Sequence, residues 1–161
     1  MTGRALSIEV VLTLLAETQP RIAALTADFD EAQLSTRPAQ NAWSANDVLA
    51  HLRACADVWG GCIARILDED KPTIRAVNPR SWIKKTDYLD LPFQPSLRAF
   101  TAQRAELLAV LQPLSAQDWS RAATVIGGGR PLELTVTSYA QRLARHEPQH
   151  VKQIARAVKG A

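Results

Sequence analysis

The chain has 161 residues, enough for one domain that buries a core without disulfide or metal support. Its 47% hydrophobic content is that of a globular protein, and no run approaches the ~20 apolar residues that span a bilayer. The net charge of +3 comes from arginines and lysines scattered along the chain, so no basic stripe for nucleic acid is evident.

The first predicted helix covers about residues 7–29, with Ile8, Val11, Leu12, Leu15, Ile22 and Leu25 near helical period and Pro20 as an expected kink. Its early apolar run is broken by Glu9 and lacks a small-residue cleavage site. It therefore reads as an amphipathic helix and not as a signal peptide, and cytoplasmic residence is the default expectation. Residues 28–42 lack periodicity and contain Pro38, the mark of a long connection.

The second helix carries a legible start. Ser44 is an N-cap, Asp47 completes a capping box, and Trp43 with Val48 can form the flanking hydrophobic staple. Its inward stripe reads Val48, His51, Leu52, Cys55, Trp59, Cys62 and Ile66 before the acidic segment Asp68-Glu69-Asp70. Cys55 and Cys62 lie roughly 10 Å apart along that helix, too far for a disulfide, and read as small core residues. Residues 71–95 hold four prolines and the cations Lys71, Arg75, Arg80, Lys84 and Lys85, an irregular connection expected to cover one end of a bundle.

The third helix spans about 96–111 and stops before Pro113. A second long connection holds Trp119 and Gly127-Gly128-Gly129, which lacks the Gly-Lys-Ser/Thr ending of a phosphate loop and reads as a flexible turn. The fourth helix is expected over 132–158, with Tyr139, Leu143, His146, His150 and Ile154 on one face. Four helices with long connections predict an all-α bundle with crossovers.

All three histidines of the chain fall on inward stripes. His146 and His150, at i and i+4, project one above the other about 6 Å apart along the axis, a spacing at which two imidazoles can share an ion. His51 from a facing helix would complete a three-histidine set with open coordination positions, the feature of catalytic zinc. The string His146-Glu147-Pro148-Gln149-His150 matches H-E-x-x-H, yet no third ligand follows it and Glu147 is turned ~100° from the histidines. A zinc protease is therefore not the reading. Pro148 removes the amide that would bond the Ala144 carbonyl, and a bend is expected there.

The segment Trp43-Ser44-Ala45-Asn46-Asp47-Val48-Leu49-Ala50-His51-Leu52 resembles the W-S-x-x-x-V-L-x-H-L signature of the DinB/YfiT-like superfamily. His146-x-x-x-His150-Val151-Lys152-Gln153-Ile154 is similar to its terminal H-x-x-x-H-x-x-Q-I. The resemblance runs over nearly the whole chain. It implies a four-helix bundle of up-up-down-down topology, a single domain over residues 1–161, and often a homodimer. It also implies a divalent metal, zinc first with nickel or iron as alternatives, held by His51, His146 and His150. Relatives that use low-molecular-weight thiols imply an S-transferase that presents a metal-bound thiolate to a small electrophile. A metal-dependent hydrolase and a non-catalytic, stress-response metal-binding bundle are the alternatives.

Overall fold

The computed structural model describes residues 4–160. Four long helices form the frame: α1 (Ile8–Thr26), α3 (Ala45–Asp68), α5 (Phe93–Leu111) and α7 (Val136–Gly160). Between them lie the short helices α2 (Glu31–Ser35), α4 (Pro79–Trp82) and α6 (Ala116–Trp119), and the strands β1 (Thr73–Arg75), β2 (Ala122–Ile126) and β3 (Leu132–Thr135). Helix α7 packs against α1 and α3, and α5 packs against the same two from the other side, so α1 and α3 occupy diagonal corners. Each diagonal pair is joined by a long connection, as expected of a bundle with crossovers. None of the described helices is long and apolar enough to cross a membrane.

Local chemistry explains the helix starts. In α1 the Ser7 side chain accepts from the Val10 amide at 3.2 Å, and the helix runs on through Pro20. At α3 the Ser44 hydroxyl accepts from the Asp47 amide at 3.0 Å and the Asp47 carboxylate accepts from the Ser44 amide at 3.1 Å, the expected reciprocal box. Val48 is fully buried and Trp43 packs on the same apolar cluster.

Several elements depart from the sequence expectation. The connection after α1 contains α2, started by a reciprocal Asp30–Gln33 box and held by fully buried Leu34. Helix α5 begins at Phe93, not at residue 96. Pro92 offers no side-chain cap, but the Glu31 carboxylate accepts from the Phe93 and Gln94 amides at 2.7 and 3.0 Å. This cap comes from 62 residues upstream. Pro95 falls in the first turn, where its missing amide costs nothing.

The largest departure is a three-stranded sheet in an architecture expected to be wholly helical. Strand β2 pairs in parallel with β1 and antiparallel with β3. The glycine run is its hairpin turn, with Gly127 and Gly129 at φ of 94° and 108°, a region that favours glycine. Residues 132–135 are therefore strand and not helix. The Ser138 hydroxyl accepts from the Thr135 amide at 3.1 Å and the Thr135 hydroxyl accepts from the Ser138 amide at 3.0 Å, and this cap starts α7 at Val136. The helix then continues through Pro148 to Gly160. Ile74, Ala123 and Val125 from the sheet join Leu15, Ile66, Leu111 and Leu143 in one apolar cluster, so the sheet closes that end of the bundle. The other cluster holds Ile22, Leu49, Leu52, Phe100, Val151 and Ile154.

A buried polar group sits where the two clusters meet. Arg104 donates to Glu147 through both terminal nitrogens, Nη1 reaching Oε1 at 2.7 Å, and Nη1 also donates to the Leu15 carbonyl at 3.0 Å. Thr18 donates to the same Glu147 Oε1 at 2.8 Å. Arg104 is 4% exposed and Glu147 1%. This bonding ties α1, α5 and α7 together at mid-height.

Candidate metal centre

The three histidines converge. His51 comes from the second helical turn of α3 after its Ser44 cap, and His146 and His150 come from successive turns of α7. His51 Nε2 lies 3.2 Å from His146 Nε2, and His150 Nε2 lies 2.9 Å from that same atom. The ring centroids of His51 and His150 are 4.8 Å apart. A tetrahedral ion roughly 2.0–2.1 Å from each nitrogen would separate its ligands by about 3.3–3.4 Å. The two Nε2 separations that run to His146 lie within a few tenths of an ångström of that value.

Proton accounting points the same way. The Gln153 Oε1 atom accepts from His150 Nδ1 at 2.8 Å, which leaves a lone pair on His150 Nε2. His146 Nε2 faces two neighbouring ring nitrogens but carries at most one proton. The Nδ1 atom of His146 is buried without a hydrogen-bond partner among the described residues. Protons cannot pair every converging nitrogen, whereas one cation accepts all three Nε2 lone pairs at once.

The surroundings favour neutral, ligating imidazoles. Burial, then the charges of His150 and Arg80, lowers the pKa of His51 to about 4. Burial, then His150 and His51, likewise brings His146 down to about 4. Both rings are therefore unprotonated at neutral pH. Two tryptophans flank them: Trp43 lies 5.2 Å from His51, and Trp59 lies 5.2 Å from His146 in an edge-on arrangement.

Cys55 was expected to be packing, and it is buried, but its sulfur also reaches the centre. Sγ lies 3.6 Å from His51 Nε2, and His51, Cys55 and His146 place one ligand atom each within 4.8 Å of one another, a possible ligand set that shares two members with the three histidines. Burial, then the Glu147 charge, pushes the thiol pKa up to about 12. Glu147 does not face the histidine nitrogens, as its helical position implies. Both its oxygens are taken by Arg104 and Thr18, which removes it as the general base of a protease-like string.

Two solvent-open cavities reach the centre. One of about 530 Å³ has His150 in its wall with Trp43, Arg80, Gln153 and Arg156. Another of about 480 Å³ has His146 in its wall with Arg142 and Arg145. Of the basic 71–85 segment, Arg80 alone lines either cavity. Lys71 instead pairs with Glu133 at 3.2 Å, and Arg145 donates to the Arg4 carbonyl at 2.8 Å.

Sequence reasoning found the three histidines and missed the groups around them. Gln153 had a signal, three residues after His150 on the same helix, but no role followed from the spacing alone. Arg80 and Trp43 meet only through folding. The acid partner of Arg104 is 43 residues away and has no local signature.

The sequence pattern of the DinB superfamily matches residues 14–154. A Geobacillus thermodenitrificans protein described as a "Putative metal-dependent hydrolase" is 26% identical over 136 residues, covering 83% of this chain and 75% of its own. A Halalkalibacterium halodurans protein of the same description is 25% identical over 135 residues, covering 83% and 77%. Among solved structures, YfiT from Bacillus subtilis, described as "a probable metal-dependent hydrolase with an unusual four-helix bundle topology", superposes with a TM-score of 0.75 at 17% identity. That match covers 99% of this chain and 91% of YfiT and concerns the fold.

Proposed function

This chain belongs to the DinB superfamily, and from that premise we propose that it is a metal-dependent hydrolase whose divalent ion is held by His51, His146 and His150. The observation that carries the reading is the meeting of three Nε2 atoms within 2.9–3.2 Å links beside an open cavity. The relatives' description as metal-dependent hydrolases supports the reaction class. A divalent ion in this position supplies Lewis acidity, polarising a substrate oxygen and making water a better nucleophile near neutral pH.

The chain's own residues do the rest. Gln153 holds the His150 ring by its Nδ1 proton, which fixes the tautomer and turns Nε2 to the centre. Trp43 and Trp59 shield the two other rings from solvent, which strengthens electrostatic attraction at the centre. His150, and not Cys55, is the third ligand in this reading, because it borders a cavity that substrate can enter. Thiol transfer is the second reading, since a thiolate can fill the same open position; the apolar face of Trp43 beside the cavity suits the body of such a co-substrate.

The test is a screen of zinc-loaded protein against chromogenic carboxylic and phosphoric esters, run beside conjugation of a model electrophile with several small thiols. Ester turnover that needs metal and disappears in His51→Ala is the expected result. Thiol conjugation without ester turnover would replace the hydrolase reading with the transferase. Turnover in neither assay, with metal bound, would leave a non-catalytic metal-binding bundle.

A further inference from the structure

Resting on the reading of the histidines as a reaction centre, we infer that the cavity beside His150 is an oxyanion-recognition pocket, in which Arg80 and Arg156 receive a carboxylate or phosphate group of the substrate. The two guanidinium-bearing residues come from different elements, Arg80 from α4 and Arg156 from the last turns of α7, and both line the same cavity of about 530 Å³. No Asp or Glu lines that cavity, and neither arginine has an acidic partner among the described residues. Four other cations, Arg37, Arg65, Lys71 and Arg104, each hold a carboxylate within 3.2 Å. A concave site with two unpaired guanidinium groups and no acid concentrates positive potential where an anion would neutralise it. Arginine's planar fork suits the paired oxygens of a carboxylate or phosphate.

The backbone that carries Arg80 is fixed in advance, while the Arg80 and Arg156 side chains are themselves exposed. The Asn78 side chain accepts from the Arg80 amide at 2.9 Å and starts α4. Two residues on, Trp82 donates to Asp57 Oδ2 at 3.1 Å, and the Tyr88 hydroxyl donates to the same oxygen at 2.5 Å. Gln103 donates to the other oxygen at 2.6 Å. The Asp57 carboxylate on α3 thus ties the chain that follows Arg80 to the bundle at two points, Trp82 and Tyr88. The Arg80 guanidinium lies 5.9 Å from the centre of the Trp43 ring, which is itself 5.2 Å from the His51 ring. Arg156 lies within two turns of His150 on one rigid helix. A substrate anchored there has its oxyanion at the cavity's cationic wall and the rest of its body toward His150. The substrate class is therefore a small acid or phosphorylated molecule with its scissile bond a short distance from the charged group.

The test uses the full-length chain with no added metal, so that anion binding is read apart from metal ligation. Inorganic phosphate and succinate are titrated separately by calorimetry at low ionic strength into the native protein and into Arg80→Gln, Arg156→Gln and Arg98→Gln. Arg98 is an exposed residue of α5 outside the cavity and serves as the control. The expected result is one saturable site for at least one anion, weakened tenfold or more in Arg80→Gln and Arg156→Gln and unchanged in Arg98→Gln. Preference for succinate identifies the carboxylate, and preference for phosphate the phosphoryl group. Absence of saturable binding for both anions overturns the inference, as does an equal affinity in all four proteins. Zinc loading is measured on the same samples. Anion binding without zinc uptake would retain the pocket and remove the metal centre, and the reverse would do the opposite.

Discussion

Glu147→Ala is expected to lower the unfolding free energy by about 3–5 kcal/mol, read by chemical denaturation, because it strands a buried guanidinium. Arg104 is 4% exposed, and without Glu147 its remaining partners are the Leu15 carbonyl and the face of Phe100 at 5.0 Å. Thr18 also loses an acceptor, although its bond to the Leu14 carbonyl at 3.2 Å survives. The paired replacement Arg104→Met with Glu147→Leu removes both charges and their desolvation together. It is expected to recover most of the loss, so a double-mutant cycle should show strong non-additivity. A single-variant cost below about 1 kcal/mol would show that water reaches the pair and that the junction of the two apolar clusters is not dry.

His146→Ala is expected to reduce bound zinc from one equivalent per chain to a trace, measured by elemental analysis after dialysis. His146 is the vertex of the triangle, since both short Nε2 separations run to it. The same variant should lose the thermal stabilisation that zinc gives the native chain. An ion that binds only the folded state at a thousand times its dissociation constant contributes about 4 kcal/mol. Cys55→Ala should keep both the metal and the shift in melting temperature. Retention of a full equivalent in His146→Ala would remove this histidine from the ligand set.

Much of the frame and the meeting of the three histidines are legible in the sequence, for physical reasons that also mark where reading fails. Helical period and a self-contained cap at Ser44 are local signals, so α3 and the inward direction of His51 follow from neighbouring residues. The i and i+4 spacing of His146 and His150 is local in the same sense. Glu31 capping α5, β1 pairing with β2 some fifty residues later, and Arg104 meeting Glu147 are non-local. Each depends on closure of the bundle, and a three-residue strand has too few side chains to announce a period. The start of α7 is a different kind of failure. The Thr135–Ser138 cap is local and readable, but an apolar Leu132 and Leu134 beside it read as an extra helical turn. Strand pairing with β2 decides the matter. Gln153 is likewise visible in sequence, and only the 2.8 Å bond to His150 gives it a role.

The central claim is that three imidazole nitrogens share one ion, and X-ray absorption of the zinc-loaded protein reads that coordination shell directly. The account predicts three imidazole nitrogens at roughly 2.0–2.1 Å, with any remaining position filled by a light atom and no sulfur in the shell. A sulfur neighbour near about 2.3 Å would put Cys55 in the place given to His150, and a shell with fewer than three imidazoles would contradict the centre as described.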